Sequence, residues 1–494
     1  MPKIPSQVWW DHSPLMRMGL KHIHTGKVRE TYEIPGHPDL LLVITTDRLS
    51  IFDFVLNTLV PDKGAVLTAL TAFWVKTLES VMPHAIVAYG NKVNDYLSQP
   101  LPPELLTRAI IMRRIRILPH EFIARGYLTG SALKPYLAGQ PVCGHVLPPG
   151  YHDGSQLLPA LCTPTTKADS GHDEAVDVKI VRPDARLATL ALYQEAASIA
   201  RRAGIIIADT KFEFGLDSDD RLTLGDEILT PDSSRFWLLV DWLSAQKKKK
   251  SPLGLDKQPV RDFGKTRGID QFNPESDADL ATVTDIRIPE EVVAATTNRY
   301  RYILWLLTGE KLESFQRRYG IEVSEPRLQI DVVFGSENDV LGQKGVLEIY
   351  AKAHPETDLH IHVLSCHRNP DQLRNFASGY PKGPNQVLVA GAGKAAALPG
   401  VLKAWMSFFG NPTPVVGVGL PGTTMDASMA ATLSIEELPG QPVELNSDGR
   451  AFASLIEALN RARGEFLTRT VESKPAKLNV DWRSMQGPRI PTAV

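Results

Sequence analysis

The sequence has little cysteine, little net charge and no long apolar run. Its 494 residues include three cysteines, Cys143, Cys162 and Cys366, which lie too far apart to form a CxxC metal or redox pair. A formal net charge of -2 gives no general argument for a nucleic-acid or anionic-membrane partner. No apolar run reaches the roughly 18 residues of a transmembrane span, and the N-terminus, MPKIPSQVWWDHSP, has no apolar signal core. These absences favour small-molecule partners and a reducing, cytoplasmic location.

The length predicts at least two domains with different hydrophobic patterns. Residues 1–316 mix strand-like runs, such as GIIIADTKFEF, with amphipathic helices, which predicts an α+β domain. The polar stretch 317–327 (RRYGIEVSEPR) is the predicted linker. In residues 328–485 four apolar runs, LQIDVVFG, IHVLSC, QVLVAGAG and PVVGVGL, each precede helix-compatible sequence. This repeat predicts an α/β domain with a parallel sheet in a three-layer, flavodoxin- or Rossmann-like arrangement, followed by a tail at 486–494.

A glycine-rich loop, GAGKAAALPG (391–400), follows the third of these runs. Its first residues match G-x-G-x-x-A, but a dinucleotide fingerprint belongs to the first βα turn, and no Asp or Glu follows where a ribose would need one. Pro399 and Gly400 are also expected to interrupt the helix. The loop does not match a Walker A motif either, because Leu388 stands where the motif has its first glycine and Ala395 stands where it has Ser or Thr. Two interpretations remain open: glycines that allow close packing, or a phosphate- or substrate-contacting turn of another kind.

The stretch ADTKFEFGLDSDDRLTLGDE (208–227) alternates charged and aromatic residues. A period of two predicts a strand with Asp209, Lys211 and Glu213 on one face. A hairpin centred in LDSDDR places Glu213 opposite Asp226, where two carboxylates would repel each other. A hard cation such as Mg²⁺, bridging to phosphate oxygens, would stabilise the pair. The alternative is a solvent-exposed acidic pair near a turn.

Basic residues in two other stretches suit anionic ligands. GKVRETYEI (26–34) is expected to place Lys27 and Arg29 on one face of a strand, suited to phosphate oxygens. RGYLTGS places Arg125 six residues before Ser131, and arginine can bind phosphate or carboxylate with two parallel hydrogen bonds.

These stretches resemble the SAICAR synthetase (phosphoribosylaminoimidazole-succinocarboxamide synthase) family over about residues 10–310. The matching segments, in order, are GKVRETY, TDRLSIFD, PDKGAVLTALTAFW, EFIARGYLTGS, TPTTKADSGHDE, IIIADTKFEFG, GDEILTPDSSRFW and LDKQPVRD. The resemblance implies an ATP-grasp-like α+β fold. It also implies ATP-dependent ligation of L-aspartate to carboxyaminoimidazole ribonucleotide, giving SAICAR, ADP and phosphate.

The same resemblance implies roles for single residues. ATP would contact Gly26, Lys27, Arg29, Lys211 and Glu213; Mg²⁺ would bind Glu213 and Asp226; the ribonucleotide would bind Arg125, Ser131 and Arg235. Lys211 is also the expected catalytic residue of this domain. Phosphoryl transfer to form an acyl phosphate, which the amine of aspartate then attacks, needs positioning and charge neutralisation more than a protein nucleophile.

The second domain resembles the aminoimidazole ribonucleotide carboxylase/mutase family over about residues 328–485. The matching segments are GSEND, SCHRNPDQL, AGAGKAAALPG, PVVGVGLPGTTMDASMAATLSIEELPGQPV and, in the tail, LNVDWR. By resemblance the ribonucleotide would be held by Ser336, Asp339, Arg368, Gly391 and Gly393, and His367 would be the catalytic acid/base. The family's oligomers imply a homo-oligomer, an octamer formed through this domain.

Three residues depart from the family's bacterial pattern: Asn338, Lys394 and Ala397 stand where that form has Ser, Gly and His. We therefore expect a bifunctional enzyme of purine synthesis whose carboxyl source is CO₂, a bicarbonate-derived donor or an N-carboxylated nucleotide. Ala397 keeps open the alternative of a weak or inactive second domain that serves oligomerisation or nucleotide binding. An unrelated ATP-dependent kinase is a third possibility.

Overall fold

The computed structural model describes residues 3–167, 174–252, 254–324, 327–381, 385–393, 397–411, 413–422, 424–438, 443–446, 448–464 and 467. The chain divides into two compact units, Met1–Pro326 and Arg327–Val494. That boundary falls inside the predicted linker, although the first two linker residues are helical. In the part of the chain that is described, no helix combines the length and apolarity needed to cross a membrane.

The first unit contains twelve described strands, which are consistent with the predicted α+β class. They are β1 Lys21–Thr25, β2 Arg29–Ile34, β3 His37–Thr45, β4 Arg48–Ile51, β5 Phe54–Leu59, β6 Ile86–Tyr89, β7 Ala109–Arg113, β8 Arg116–Leu128, β9 Ser155–Thr166, β10 Ile205–Leu216, β11 Leu222–Gly225 and β12 Ser234–Leu238.

These strands form two larger antiparallel sheets and one hairpin. The first sheet has the order β1-β2-β3-β7-β6. The second has the order β11-β10-β8-β9, with β12 also paired to β10. Strands β4 and β5 pair with each other. Since β10 pairs with three strands, its side chains can meet residues from all of them.

The helices of the first unit cover these sheets. They are α1 Ser13–Arg17, α2 Lys63–Leu78, α3 Pro103–Leu106, α4 Leu133–Leu137, α5 Pro183–Arg202, α6 Leu239–Gln246, α7 Gln258–Thr266, α8 Asp277–Asp285, α9 Glu290–Thr308 and α10 Leu312–Arg318. The largest apolar core joins residues of both sheets to α2, α5 and α9. Helix α5 has a buried stripe that includes Leu192, Ala196 and Ala200, the spacing of a helix with one apolar face.

The second unit is built on a four-stranded parallel sheet of order β14-β13-β15-β16, as the repeated βα pattern predicts. Its strands are β13 Leu328–Phe334, β14 Thr357–Val363, β15 Gln386–Ala392 and β16 Val415–Gly419. Its helices are α11 Glu337–Ala353, α12 Pro370–Gly379, α13 Leu398–Phe408, α14 Met425–Glu436 and α15 Leu455–Arg463.

Helices lie on both faces of this sheet, which gives three layers. Side chains of α11 and α15 pack on one face, around Val332 and Phe334. Side chains of α12, α13 and α14 pack on the other face, around Val333 and Leu388. In such a sheet the carboxyl ends of the strands meet at one edge, where ligands bind.

Candidate functional site

Strand β10 carries the charged residues that the sequence singled out. Asp209, Lys211 and Glu213 lie on one face, while Phe212 and Phe214 are buried in the core on the other. The predicted period of two is therefore confirmed. The charged face is itself covered, since Asp209 and Glu213 are only 4% and 6% exposed.

The predicted register of the hairpin is wrong by one residue. Glu213 pairs with Gly225, and Asp226 follows the end of β11 with a positive φ of 58°. The connection between β10 and β11 has five residues, and the Asp217 side chain in it accepts two backbone N–H groups of the loop. A loop with an odd number of residues centres the hairpin on a residue, whereas the prediction centred it between two residues. Each observed strand pair therefore differs by one residue from the predicted pair.

Two lysines surround the Glu213 carboxylate. Lys211 Nζ lies 3.1 Å from Glu213 Oε1 and 2.5 Å from Glu121 Oε1 on β8, and Lys167 Nζ forms an ion pair with Glu213 Oε2. Burial alone would raise the pKa of Glu213, but the ammonium groups of Lys211 and Lys167 outweigh it and lower the pKa to about 2. The carboxylate is therefore ionised at neutral pH.

Arg29 meets two further carboxylates at the end of β11. Its guanidinium forms an ion pair with Asp226 and lies 3.5 Å from Glu227 Oε1. Glu227 Oε2 is buried and has no hydrogen-bond partner among the described residues, and burial raises the pKa of this carboxyl group. Against the effect of burial, Glu213, Glu121 and Asp226 raise the pKa of the Lys211 ammonium group. Asp226 therefore belongs to the charge cluster around Lys211, but it does not face Glu213 across the ladder as predicted.

A second cluster forms around Asp209. Arg125 Nη1 lies 2.7 Å from Asp209 Oδ2 and Arg235 Nη1 lies 2.5 Å from the same oxygen. Arg125 also donates to Ser131 Oγ (2.7 Å) and to Thr163 Oγ1 (2.8 Å). The structure therefore brings the three predicted ribonucleotide residues, Arg125, Ser131 and Arg235, to one place.

Gly26 and Lys27 lie in the turn between β1 and β2, not on a strand. Strand β2 begins at Arg29, so Lys27 and Arg29 do not share a strand face as predicted. The turn is closed by the Gly26 N–H, which donates to the Arg29 carbonyl (2.8 Å). The Lys27 side chain forms an ion pair with Asp53, whereas that of Arg29 points to Asp226.

Sequence reasoning missed a buried charged cluster beside these groups. Lys63 Nζ lies 2.7 Å from Asp232 Oδ2, and the Tyr300 hydroxyl donates to Asp232 Oδ1 (2.6 Å). Burial lowers the pKa of nearby Lys257 to about 8, against the opposing effect of Asp232. A lysine at the start of a largely apolar helix, α2, was the available signal, since lysine is almost never fully buried unless it is paired.

In the second unit, the strand ends bring the predicted binding residues together. Ser336 caps α11 and its hydroxyl donates to Asp339 Oδ2 (2.7 Å). Arg368 Nη2 donates to the Gly335 carbonyl (2.6 Å), which links the loop after β14 to the end of β13. A Cβ on Gly393 would lie 3.0 Å from Asp339 Oδ1, so glycine allows this close approach.

The other predicted groups of this unit lie on neighbouring loops. His367 is exposed, with Nδ1 3.3 Å from the Cys366 sulfur. Gly391 packs tightly, since a Cβ there would lie 2.9 Å from the Val418 side chain. The expectation that Pro399 and Gly400 interrupt the helix is wrong: α13 starts at Leu398 and contains both. Proline fits the first turn because the N–H it lacks has no partner there.

Several predicted residues lie outside the described part of the chain. These are residues 168–173 of the TPTTKADSGHDE loop, Lys394 and Ala395 of the glycine-rich loop, and LNVDWR in the tail. Ala397 is described and is the N-cap residue of α13.

Comparison with known proteins identifies both units. Residues 22–274 match the family model described as SAICAR synthetase. The chain belongs to the SAICAR synthetase family. Residues 329–459 match a second model, described as AIR carboxylase. The chain is therefore an enzyme of purine biosynthesis that combines SAICAR formation with an AIR carboxylase/mutase domain, and the comparisons do not favour a non-catalytic second domain.

Curated relatives cover the first unit almost completely. The phosphoribosylaminoimidazole-succinocarboxamide synthase of Streptomyces coelicolor is 42% identical over 312 residues, which are 60% of this chain and 96% of that protein. The enzyme of the same name from Thermobifida fusca is 40% identical over 307 residues, and the match covers 60% of this chain and 94% of that protein. Among solved structures, the SAICAR synthase of Saccharomyces cerevisiae, complexed with SAICAR, is 33% identical with a TM-score of 0.51 and covers 59% of this chain and 96% of that one.

The Asp209 cluster gives a prediction about stability. Asp209→Asn removes the negative charge that the buried Arg125 and the partly buried Arg235 share, and we expect it to lower the free energy of unfolding by about 3 kcal/mol. Urea unfolding followed by circular dichroism measures this. The exposed Asp241→Asn is the control, with an expected change below about 0.5 kcal/mol. Equal effects of the two substitutions would contradict a shared counter-ion at Asp209.

Proposed function

We propose that the first unit joins L-aspartate to carboxyaminoimidazole ribonucleotide on the charged face of β10. The observation that carries this proposal is that the arginine cluster at Asp209 and the lysine–carboxylate cluster at Glu213 are four residues apart on one strand, with Lys211 between them. At about 3.3 Å per residue, the two clusters are about 13 Å apart. This spacing suits a ribonucleotide at one end and a nucleotide triphosphate at the other.

ATP would lie at the Glu213 end. The turn with Gly26, Lys27 and Arg29 would contact its phosphates, since Lys27 and Arg29 bring two cations to it. The carboxylates of Glu213 and Asp226 would hold Mg²⁺. Glu227 Oε2 supports this, because it adds a buried oxygen that has no hydrogen-bond partner in the part of the chain that is described. When bound, Mg²⁺ neutralises phosphate charge. We also assign the unit to an ATP-grasp-like fold class.

The ribonucleotide would lie at the Asp209 end. Arg125 and Arg235 would bind its phosphate and carboxylate, because a guanidinium matches the planar geometry of these anions, and Ser131 would add a hydroxyl. Asp209 holds both arginines in place.

In the reaction, an oxygen of the ribonucleotide carboxylate attacks the γ-phosphorus of ATP, and the bond to ADP breaks. Lys211 would neutralise the charge of the transferring group and orient it. The amine of aspartate then attacks the acyl carbon, phosphate leaves, and the amine loses its extra proton. Positioning and charge neutralisation by the residues of the site are the main requirements of such a transfer.

The second unit would supply the substrate of the first. Ser336, Asp339 and Arg368, with Gly391 and Gly393, would bind aminoimidazole ribonucleotide, and His367 would move the proton at the imidazole carbon. The methyl side chain of Ala397 can neither donate nor accept a proton at the neighbouring loop, so His367 carries the acid/base role there.

We further propose a homo-oligomer, an octamer formed through the second unit. Helix α14 exposes an apolar stripe at i, i+4 and i+8, where Met425, Met429 and Leu433 are 81%, 56% and 45% exposed. Exposed apolar patches of this kind are typical of protein interfaces. A cytoplasmic location fits the three cysteines, which are all free.

The carboxylate cluster predicts a loss of ligation with retention of the fold. Glu213→Gln or Asp226→Asn should lower ATP-dependent SAICAR formation by about a hundredfold or more, because each removes a charge that would bind Mg²⁺–ATP. The assay supplies carboxyaminoimidazole ribonucleotide directly, and ATP turnover must depend on aspartate. Asp219→Asn, in the exposed loop of the same hairpin, is the control. Near wild-type turnover of both variants at saturating Mg²⁺ would overturn the metal assignment.

The second half-reaction is predicted to depend on His367. In the full-length chain, His367→Asn should reduce carboxyl transfer by about 10²- to 10⁴-fold, the usual contribution of an acid/base group. The reaction is measured with CO₂ and with the N-carboxylated nucleotide, and His360→Asn on β14 is the control. Activity that survives in His367→Asn would refute the role of His367. Nucleotide binding without activity in the wild type would instead favour a binding module.

The apolar stripe of α14 predicts the assembly. Met429→Glu combined with Leu433→Glu should shift the mass measured by light scattering from an oligomer to a smaller species, because charges cannot be buried in the interface without partners. Met429→Leu with Leu433→Met keeps the surface apolar and should preserve the assembly. An unchanged mass in the glutamate variant would place the interface elsewhere.

A further inference from the structure

The carbonyl groups of the turn at residues 26–29 accept hydrogen bonds from two residues outside the β1–β2 hairpin, Thr46 and Arg48. The Val28 carbonyl accepts from both the backbone N–H and the hydroxyl of Thr46, at 2.8 and 2.9 Å. Thr46 lies between β3 and β4 and is buried. One of the four carbonyl groups in the turn is therefore fixed from outside the hairpin.

Arg48 holds the other three carbonyl groups. Its Nε donates to the Lys27 carbonyl (3.0 Å), and its Nη2 donates to those of Gly26 (3.0 Å) and Arg29 (3.4 Å). The Arg48 side chain is 1% exposed. A buried guanidinium with several donors on one plane fixes the relative positions of these peptide groups, which an ammonium group with one nitrogen cannot do.

The charge of Arg48 is neutralised by Glu30 inside the protein. Arg48 Nη1 lies 2.6 Å from Glu30 Oε1, and Glu30 is fully buried. The other carboxylate oxygen accepts from the Thr25 hydroxyl (2.7 Å) and lies 3.0 Å from His22 Nε2. Alternation along β2 turns Glu30 inward to Arg48 and Arg29 outward to Asp226.

His12, His22 and Glu30 are close enough together to suggest a metal site, but their hydrogen bonds argue against one. His22 Nε2 lies 3.0 Å from the His24 carbonyl as well as from Glu30, so it carries a proton and donates. Glu30 already faces the Arg48 cation. A histidine binds a metal only through a ring nitrogen with a free lone pair, and this nitrogen has none to offer.

We propose that Arg48, neutralised by Glu30, is a positioning residue for ATP. By holding the carbonyl groups of Gly26, Lys27 and Arg29, it sets the direction in which the turn and the Lys27 and Arg29 side chains face the phosphates. The inference rests on the proposed role of this turn in ATP binding. It adds that the affinity for ATP depends on a residue that does not touch ATP.

The test compares Arg48→Lys and Arg48→Met with wild type in SAICAR formation. We expect both variants to raise the KM for ATP by about 10- to 100-fold, with the smaller change for lysine, since small displacements of positioning groups have effects of this size. The KM for the ribonucleotide and for aspartate should change less than about twofold. A loss of folded enzyme would lower the apparent kcat and leave every KM unchanged. A rise confined to the KM for ATP therefore separates a positioning role from a loss of stability.

Thr46→Val serves as the milder variant if the Arg48 variants do not fold. It keeps the side-chain volume and removes the hydroxyl, which donates to the Val28 carbonyl and accepts a long hydrogen bond from the Arg48 N–H. The Arg48 side chain and its three hydrogen bonds to the turn remain, so we expect a smaller rise in the KM for ATP alone. Arg301→Gln is the matched control: Arg301 is also a largely buried, ion-paired arginine, but its partners are Asp62 and Glu313. It should leave all three KM values unchanged.

Lys27→Ala distinguishes failure of this inference from failure of the proposed function. If Lys27→Ala does not change the KM for ATP, the turn does not bind the phosphates and the proposed function of the turn is wrong. If Lys27→Ala raises this KM but Arg48→Lys and Thr46→Val do not, the positioning role of Arg48 is overturned.

Discussion

The neutralisation of buried charge on strand β10 is the constraint on which the site of the first unit depends. Asp209 and Glu213 are almost fully buried, and an isolated carboxylate there would be too costly to remain ionised. Asp209 is therefore paired with arginines from β8 and β12. Glu213 is paired with a lysine from β10 and with Lys167, which directly follows β9. Arginine and lysine are also the residue types that bind anionic ligands in proteins.

The antiparallel sheet that contains β10 brings these arginines and lysines to the buried carboxylates. Because β10 pairs with β8 on one side and with both β11 and β12 on the other, residues far apart in sequence reach the same face. The first sheet contributes the turn at residues 26–29, whose carbonyl groups are all held by Thr46 and Arg48. The turn and the β10–β11 hairpin meet where Arg29 forms an ion pair with Asp226. In the second unit, a parallel sheet achieves a similar convergence through its strand ends, where Arg368 contacts Gly335.

Much of this could be predicted from the sequence because the signals were local. Alternation of charged and aromatic residues identified β10, and the repeated apolar runs identified the parallel sheet. The motifs also identified Arg125, Ser131 and Arg235, which the structure brings together. The predictions failed where a turn or a helix start decided the geometry. The five-residue loop after Leu216 moved Asp226 out of register with Glu213, and Pro399 lies in the first turn of a helix that it was expected to interrupt.

The sequence by itself determined the fold class of each unit and the residue types of both sites, since hydrophobic period and motif spacing depend only on neighbouring residues. Only the tertiary structure decided which charges meet. Arg125 and Arg235 both form ion pairs with Asp209, and Lys63 is buried against Asp232. Arg48 donates hydrogen bonds to a turn some twenty residues earlier in the chain. The physical reason is that the cost of burying a charge depends on its surroundings in three dimensions, and no local pattern records which partner will neutralise it.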